Sequence, residues 1–399
     1  MQDVQPHTPA TERRRGGTDG NIPALDGVRA AAALMVVLTH VAFQTGEVGR
    51  GAHGAVLARM DFGVALFFAL SGFLLYRPWV HWSRGARRRP DVRRYLLRRA
   101  VRILPAYWLA LVAVLLTTAR GTEADDVVRH VTLTQVYGGH LLDGFTQTWS
   151  LATEASFYVV LPLLAAGLHR LGGPRAVLAG LAGLAAVSPV WAALAADGQL
   201  PPLASTWLPG HLDWFVVGMA LALLTAEIDA RPGGRAARIA SELGRYPGTL
   251  LALAAAVGWL VATPLAGPRT LEPVSPGEAA VKEVLYAVTA ALVVGAAALA
   301  RPESRPARLL GSPTASYLGR VSYGVFLWHL LALEATMRLL DVEIFSGGFV
   351  LVAVPTVALS VLVASASWLL LEQPLLRRLT WQVSSAHGPA HEQAAARHR

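Results

Sequence analysis

Ten stretches of this chain stay apolar for close to 20 residues, and that feature restricts its fold more than any other. A helix rising 1.5 Å per residue needs about 20 residues to cross a hydrocarbon core ~30 Å thick. Within that core the backbone must satisfy its own polar groups, so such runs form helices. They fall at roughly 23–43, 61–80, 101–118, 149–169, 174–195, 208–226, 248–268, 281–300, 317–340 and 348–371. Short proline, glycine and charged stretches such as Arg231-Pro-Gly-Gly and Arg301-Pro-Glu-Ser separate them. The expected fold is all-α: a polytopic bundle of about ten transmembrane helices, multi-pass in the cell membrane. The charged fraction agrees, at 15% where soluble domains carry about 25%.

The formal charge is +9, almost all of it from arginine. A basic excess can point to nucleic acid, but in a membrane protein it more simply sets topology. With the N-terminus in the cytosol, 26 of the 35 Lys and Arg residues fall on the cytosolic side and seven outside; Arg29 and Arg77 lie within spans. Both termini are therefore expected in the cytosol and no nucleic-acid partner is expected. The polar stretches 1–21 and 377–399 read as disordered tails around one membrane domain, 22–376. The first apolar run is long, carries Asp26, Arg29 and His40, and is followed by no small-residue cleavage site, so it does not read as a signal peptide. The chain has no cysteine, which excludes disulfides and an acyl-cysteine intermediate. Zinc-ligand spacing, a G-x-S-x-G elbow and a phosphate-cradling glycine loop do not occur, and no metal is expected.

Ionisable residues inside spans are costly, which makes each a functional candidate. At 100° per residue, Arg29 and His40 share a face to within about 20°, with Asp26 about 40° from His40. The plainer account is a packing histidine plus a topology-setting arginine. Arg99 and Arg102, one turn apart at the entry of the third span beside Pro105 and Tyr107, can converge on one anion. Topology alone explains most of the other arginines in that loop. Glu154, in Trp149-Ser150-Leu151-Ala-Thr153-Glu154, is expected at a depth similar to His40, where it can orient the imidazole or titrate itself. A water-exposed helix end would also account for it. His329 falls in the middle of the ninth span, and Asp213 with His211 opens the sixth. The Ser71-Gly72 step of the second span suits close helix packing.

These segments, in this order, resemble the acyltransferase-3 family of membrane O-acyltransferases. The matching stretches are Leu25-Asp-Gly-Val-Arg-Ala with His40; Phe67-Phe-Ala-Leu-Ser-Gly-Phe-Leu74; Arg99-x-x-Arg102-Ile-x-Pro105-x-Tyr107; Trp149-Ser-Leu-x-x-Glu154-x-x-Phe157-Tyr158; Tyr323-Gly-x-x-Leu-x-His329; and Glu372-x-Pro374. Ala30 stands where many members have glycine, and Ala155-Ser156 follows the glutamate where a more polar residue is common. The resemblance implies transfer of an acyl group, commonly acetyl from acetyl-CoA, to a sugar hydroxyl. The family's intramembrane histidine maps onto His40, its first-helix arginine onto Arg29 and its paired arginines onto Arg99 and Arg102. Usage rich in Ala, Arg and Gly looks actinobacterial, which leaves both trehalose-mycolate acetyltransferases and acyltransferases of glycosylated natural products open.

The combined expectation is an acyltransferase moving a group other than aminoacyl, with acyl-CoA as donor and a sugar-containing, lipid-linked or soluble acceptor. His40, Glu154 and Arg29 are assigned to catalysis; Arg99, Arg102, Tyr107 and Arg29 to the donor; Asp26, Ser71, Trp149 and His329 to the substrate. Direct transfer is preferred over an acyl-histidine intermediate because it needs no additional acylated species. The rival is a glycolipid or small-molecule transporter or flippase. It is disfavoured by the lack of an inverted repeat and of broken helices.

Overall fold

The computed structural model describes residues 22–86, 88–270 and 272–378. Of the tails expected at 1–21 and 377–399, residues 1–21 and 379–399 lie outside them, as does Arg87, whereas 377 and 378 are helical. Fifteen α-helices and no strand occur among the described residues. In chain order come α1 (Pro23–Gln44), a short α2 (Gly51–Ala58), α3 (Gly63–Ser83), α4 (Val92–Thr117), a loop helix α5 (Ala124–Val131) and α6 (Trp149–Arg170). Then follow α7 (Pro174–Ala185), α8 (Val187–Ala196), α9 (Leu212–Ala230), amphipathic α10 (Arg235–Arg245), α11 (Pro247–Val261) and α12 (Pro276–Leu299). The chain ends with α13 (Arg305–Leu310), α14 (Pro313–Leu339) and α15 (Phe349–Ser367). Starts are marked where local chemistry demands. Ser275 and Glu278 form a reciprocal capping box on α12, and Asp91 accepts from the Arg94 amide at α4.

Each of the ten expected spans contains α-helix, but among the described residues only eight stretches are both long and apolar enough to cross a membrane. The seventh is cut short: α11 has 15 residues, about 22 Å, before a 3₁₀ turn at Pro264–Ala266. The ninth, α14, is 27 residues long, but Arg320, His329, Glu334 and Arg338 lower its apolarity. It is nevertheless packed between α1 and α15 over much of its length. The fifth is broken between α7 and α8. Pro189 explains the break, because its ring clashes with the carbonyl four residues back, at Ala185, and supplies no amide. The expectation of unbroken helices is corrected on this point. A π-turn over Trp368–Glu372 also interrupts the last helix, and Ser367 Oγ donates to Glu372 across it at 3.2 Å.

The tightest crossing joins α3 to α9, and glycine makes it possible. A β-carbon at Gly72 would lie 2.0 Å from Phe215 O, and one at Gly218 would lie 1.9 Å from Ala69 O. Phe68, Phe215 and Phe157 stack beside this contact, with centroids 4.3 and 4.0 Å apart. Gly72→Ala is therefore expected to destabilise the bundle by about 1–3 kcal/mol, as overpacking does. A lowered unfolding midpoint in detergent checks this. Gly248→Ala, where an added carbon meets nothing within 4 Å, should leave the midpoint unchanged.

Candidate active site

Helix α1 carries the site's two ends. His40 lies near its outer end, and Arg29 lies eleven residues earlier, about 16 Å deeper. The two face different cavities.

The outer cavity, of about 1260 Å³, is lined by His40, Thr39 and Gln44 of α1, by Asp61 and Asp143, and by the outer turns of α14. His40 Nδ1 lies 2.8 Å from Val36 O, and His329 Nδ1 lies 2.6 Å from Phe326 O. A carbonyl only accepts, so in the neutral rings both Nδ1 atoms carry the proton. His329 Nε2 is then an acceptor and lies 3.3 Å from His40 Nδ1, so that proton is shared between Val36 O and His329. The rings tilt at 59° with centroids 4.9 Å apart. His40 Nε2 is left as a lone-pair nitrogen with no hydrogen-bond partner among the described residues, on a ring that lines the cavity. His329, fully buried, fixes this tautomer.

The inner cavity is a slot of about 80 Å³ lined by Arg29, Arg99, Arg102, Ser71, Glu154 and Tyr158, with Ser322 and Tyr323 of α14. Three guanidiniums and one carboxylate meet here. Arg99 Nε is buried without a hydrogen-bond partner. Asp26 lies 4.0 Å from Arg29 and partly balances it. The π-turn packs on α4 and brings the buried Glu372 into the field of Arg102.

Several sequence expectations need correction. Glu154 does not meet His40; its carboxylate accepts from Ser71 Oγ inside the arginine slot. The reason is register. Gln147 Nε2 donates to Leu327 O at 2.9 Å, so the start of α6 is level with the histidine pair. Glu154, seven residues later, is about 10 Å deeper. Asp61, one of several carboxylates lining the histidine cavity, accepts from Lys282 at 2.9 Å and from the Tyr286 hydroxyl. Its signal was an acid at the mouth of an apolar run, and sequence reasoning passed over it. Tyr107 is not in the slot. Its hydroxyl donates to His130 O at 2.8 Å and its ring stacks on Phe145, pinning the α5 loop. Five residues beyond Arg102, it faces about 140° away. Trp149 lines neither cavity and packs on His211, with centroids 5.0 Å apart. His211 and Glu283 pair at 3.2 Å, with the buried Asp213 nearby, in a separate polar cluster.

The acyltransferase domain model of the acyltransferase-3 family matches residues 22–368, a stretch that holds both cavities. The chain belongs to that family. Family members are integral membrane proteins, and the helix bundle agrees. Acyltransferase-3 relatives include the peptidoglycan O-acetyltransferase OatA of Listeria monocytogenes, 26% identical over 43% of this chain and 28% of the relative. Acyltransferase MdmB of Streptomyces mycarofaciens is 32% identical over 36% of this chain and 38% of its own length. The chain thus spans well under half of these two relatives. Nodulation protein 10 of Rhizobium leguminosarum bv. viciae is 25% identical over 91% of this chain and 95% of its own. No solved structure matches the chain.

Proposed function

We propose that the protein transfers an acyl group, acetyl first among candidates, from acyl-CoA to a hydroxyl of a sugar-containing acceptor. One observation carries this reading: a histidine whose Nδ1 is tied down and whose Nε2 is free, on the wall of a large outer cavity, about 16 Å along one helix from a three-arginine slot. The arginines suit a diphosphate, since planar guanidiniums bind phosphate oxygens in pairs. The pantetheine arm then runs along α1 toward His40. Nε2 takes the acceptor hydroxyl proton as the oxygen attacks the thioester carbonyl; the thiolate leaves and recovers the proton from the imidazolium. Direct transfer needs no acylated histidine. Asp61, in the same cavity, supplies negative charge that favours the transient imidazolium.

The relatives named as acyltransferases support the reaction class. An envelope glycolipid or glycan and a glycosylated natural product are the acceptors considered. The transporter reading gains the broken fifth span, but Pro189 accounts for that break locally. Mass spectrometry of envelope lipids and glycans, with and without the gene, tests the proposal: one acetyl mass should disappear from one species in the knockout. An unchanged acylation profile, with a lipid or solute accumulating on one side instead, would favour the transporter.

Glu154 takes a different role from the one its position in the sequence suggests. Bound to Ser71 beside Arg29, Arg99 and Arg102, it balances the slot's positive charge and holds its shape. Glu154→Gln should raise the KM for acyl-CoA several-fold and leave the pH profile of kcat in place. A shifted kcat profile would return it to proton transfer.

A further inference from the structure

The arginine slot has room for only a handful of water-sized groups and cannot enclose a nucleoside. A second cavity of about 470 Å³ lies further along the same helices, on the side that the arginine bias marks as cytosolic. Both cavities follow α3 and α6. Trp79 comes eight residues after Ser71, about 12 Å on, and His169 comes eleven residues after Tyr158, about 16 Å on. The outer cavity, the slot and this pocket therefore succeed one another down the bundle.

The pocket's chemistry is amphipathic. Trp79 and Tyr76 give it an aromatic wall, while Arg84, Arg231 and His169 bring cationic or titratable nitrogen. Glu227 is the lining carboxylate, and it is already bonded to Arg84. Arg231 is exposed and has no side-chain partner among the described residues. At the rim, Trp82 packs tilted at 41° against His169, with centroids 4.6 Å apart, and carries the Arg89 guanidinium 5.4 Å from its ring, so aromatic surface and positive charge lie together. The opening turn of α7 closes one wall with no side-chain cap on its amides.

We infer that this pocket is an organic-phosphate site that seats the nucleotide end of the acyl donor, the diphosphate reaching up to Arg99 and Arg102. The inference rests on the acyl-CoA reading above. An anionic lipid headgroup offers the same phosphate chemistry at this membrane edge, so the test separates the two sources.

The full chain is placed in phosphatidylcholine nanodiscs and its affinity for coenzyme A is measured calorimetrically. Arg231→Glu should weaken binding about tenfold or more, as loss and reversal of one charge-assisted phosphate contact does. Arg308→Glu makes the same charge change on α13, outside the pocket lining, and should have little effect. Equal weakening by both variants would mean that only the general field matters, and the site assignment falls. Unchanged coenzyme A affinity in Arg231→Glu, with loss of co-purifying phosphatidylglycerol, would assign the pocket to lipid and overturn the nucleotide assignment. If the wild type binds no coenzyme A, the acyl-CoA reading itself fails, and the inference with it; the phosphatidylglycerol measurement then decides whether any phosphate site exists here.

Discussion

His40→Ala should reduce acyl transfer by about 10²–10⁴-fold, the usual loss when a general base is removed. Expression and membrane insertion should stay near normal, because one imidazole on an apolar helix is dispensable for insertion. His329→Ala provides the informative comparison. His329 meets His40 through the shared Nδ1 proton, at 3.3 Å, and a tilted ring contact, so it positions the base from the side away from Nε2. Its loss leaves Val36 O to hold Nδ1. The His329→Ala rate should therefore fall less than that of His40→Ala, and the pH dependence of kcat should shift because His40 has lost a neighbour. Equal losses would make the two histidines one catalytic unit. A fully active His40→Ala enzyme would remove the proposed base altogether.

Arg102→Ala should raise the KM for acyl-CoA by roughly ten- to a hundredfold, the range set by losing hydrogen bonds to a charged group. Arg102 lines the slot together with Arg29, and Arg99 lies one turn earlier on α4. Arg102→Lys should recover little, since an ammonium cannot reproduce the two-pronged contact of a guanidinium. Arg88→Ala, outside the slot, is the control; Arg87, in the same loop, falls outside the described residues. Equal effects at positions 88 and 102 would reduce the whole loop to a topology signal.

The first helix was the most legible part of the site. A 100° turn per residue put Arg29 and His40 on related faces, and the structure opens a cavity at each. The Arg99 and Arg102 spacing was equally readable, because both residues lie on one helix within one turn. What failed was matching depth between helices. Glu154 was matched in depth to His40 by counting from a helix end, but the 3₁₀ turn at Thr146–Thr148 and the Gln147 contact with α14 put it about 10 Å deeper. His329 as the ring partner of His40 was invisible for the same reason: 289 residues separate the pair, and nothing local records which turns of α1 and α14 are level. The fold shows a similar division. The positions of the spans followed from apolar run length. The short α11 and the Pro189 break depend on turns and ring sterics inside runs that look uninterrupted.

The central claim is that donor and acceptor meet at His40 from opposite sides of the bilayer. Inverted membrane vesicles, with the cytosolic face outward, can be supplied with acetyl-CoA labelled in the acetyl group, and the label followed into lipid and glycan. Incorporation is expected with the wild-type protein and its loss with His40→Ala at equal protein level. Label that stays on coenzyme A with the wild type, or enters the acceptor as fast with His40→Ala, would contradict it.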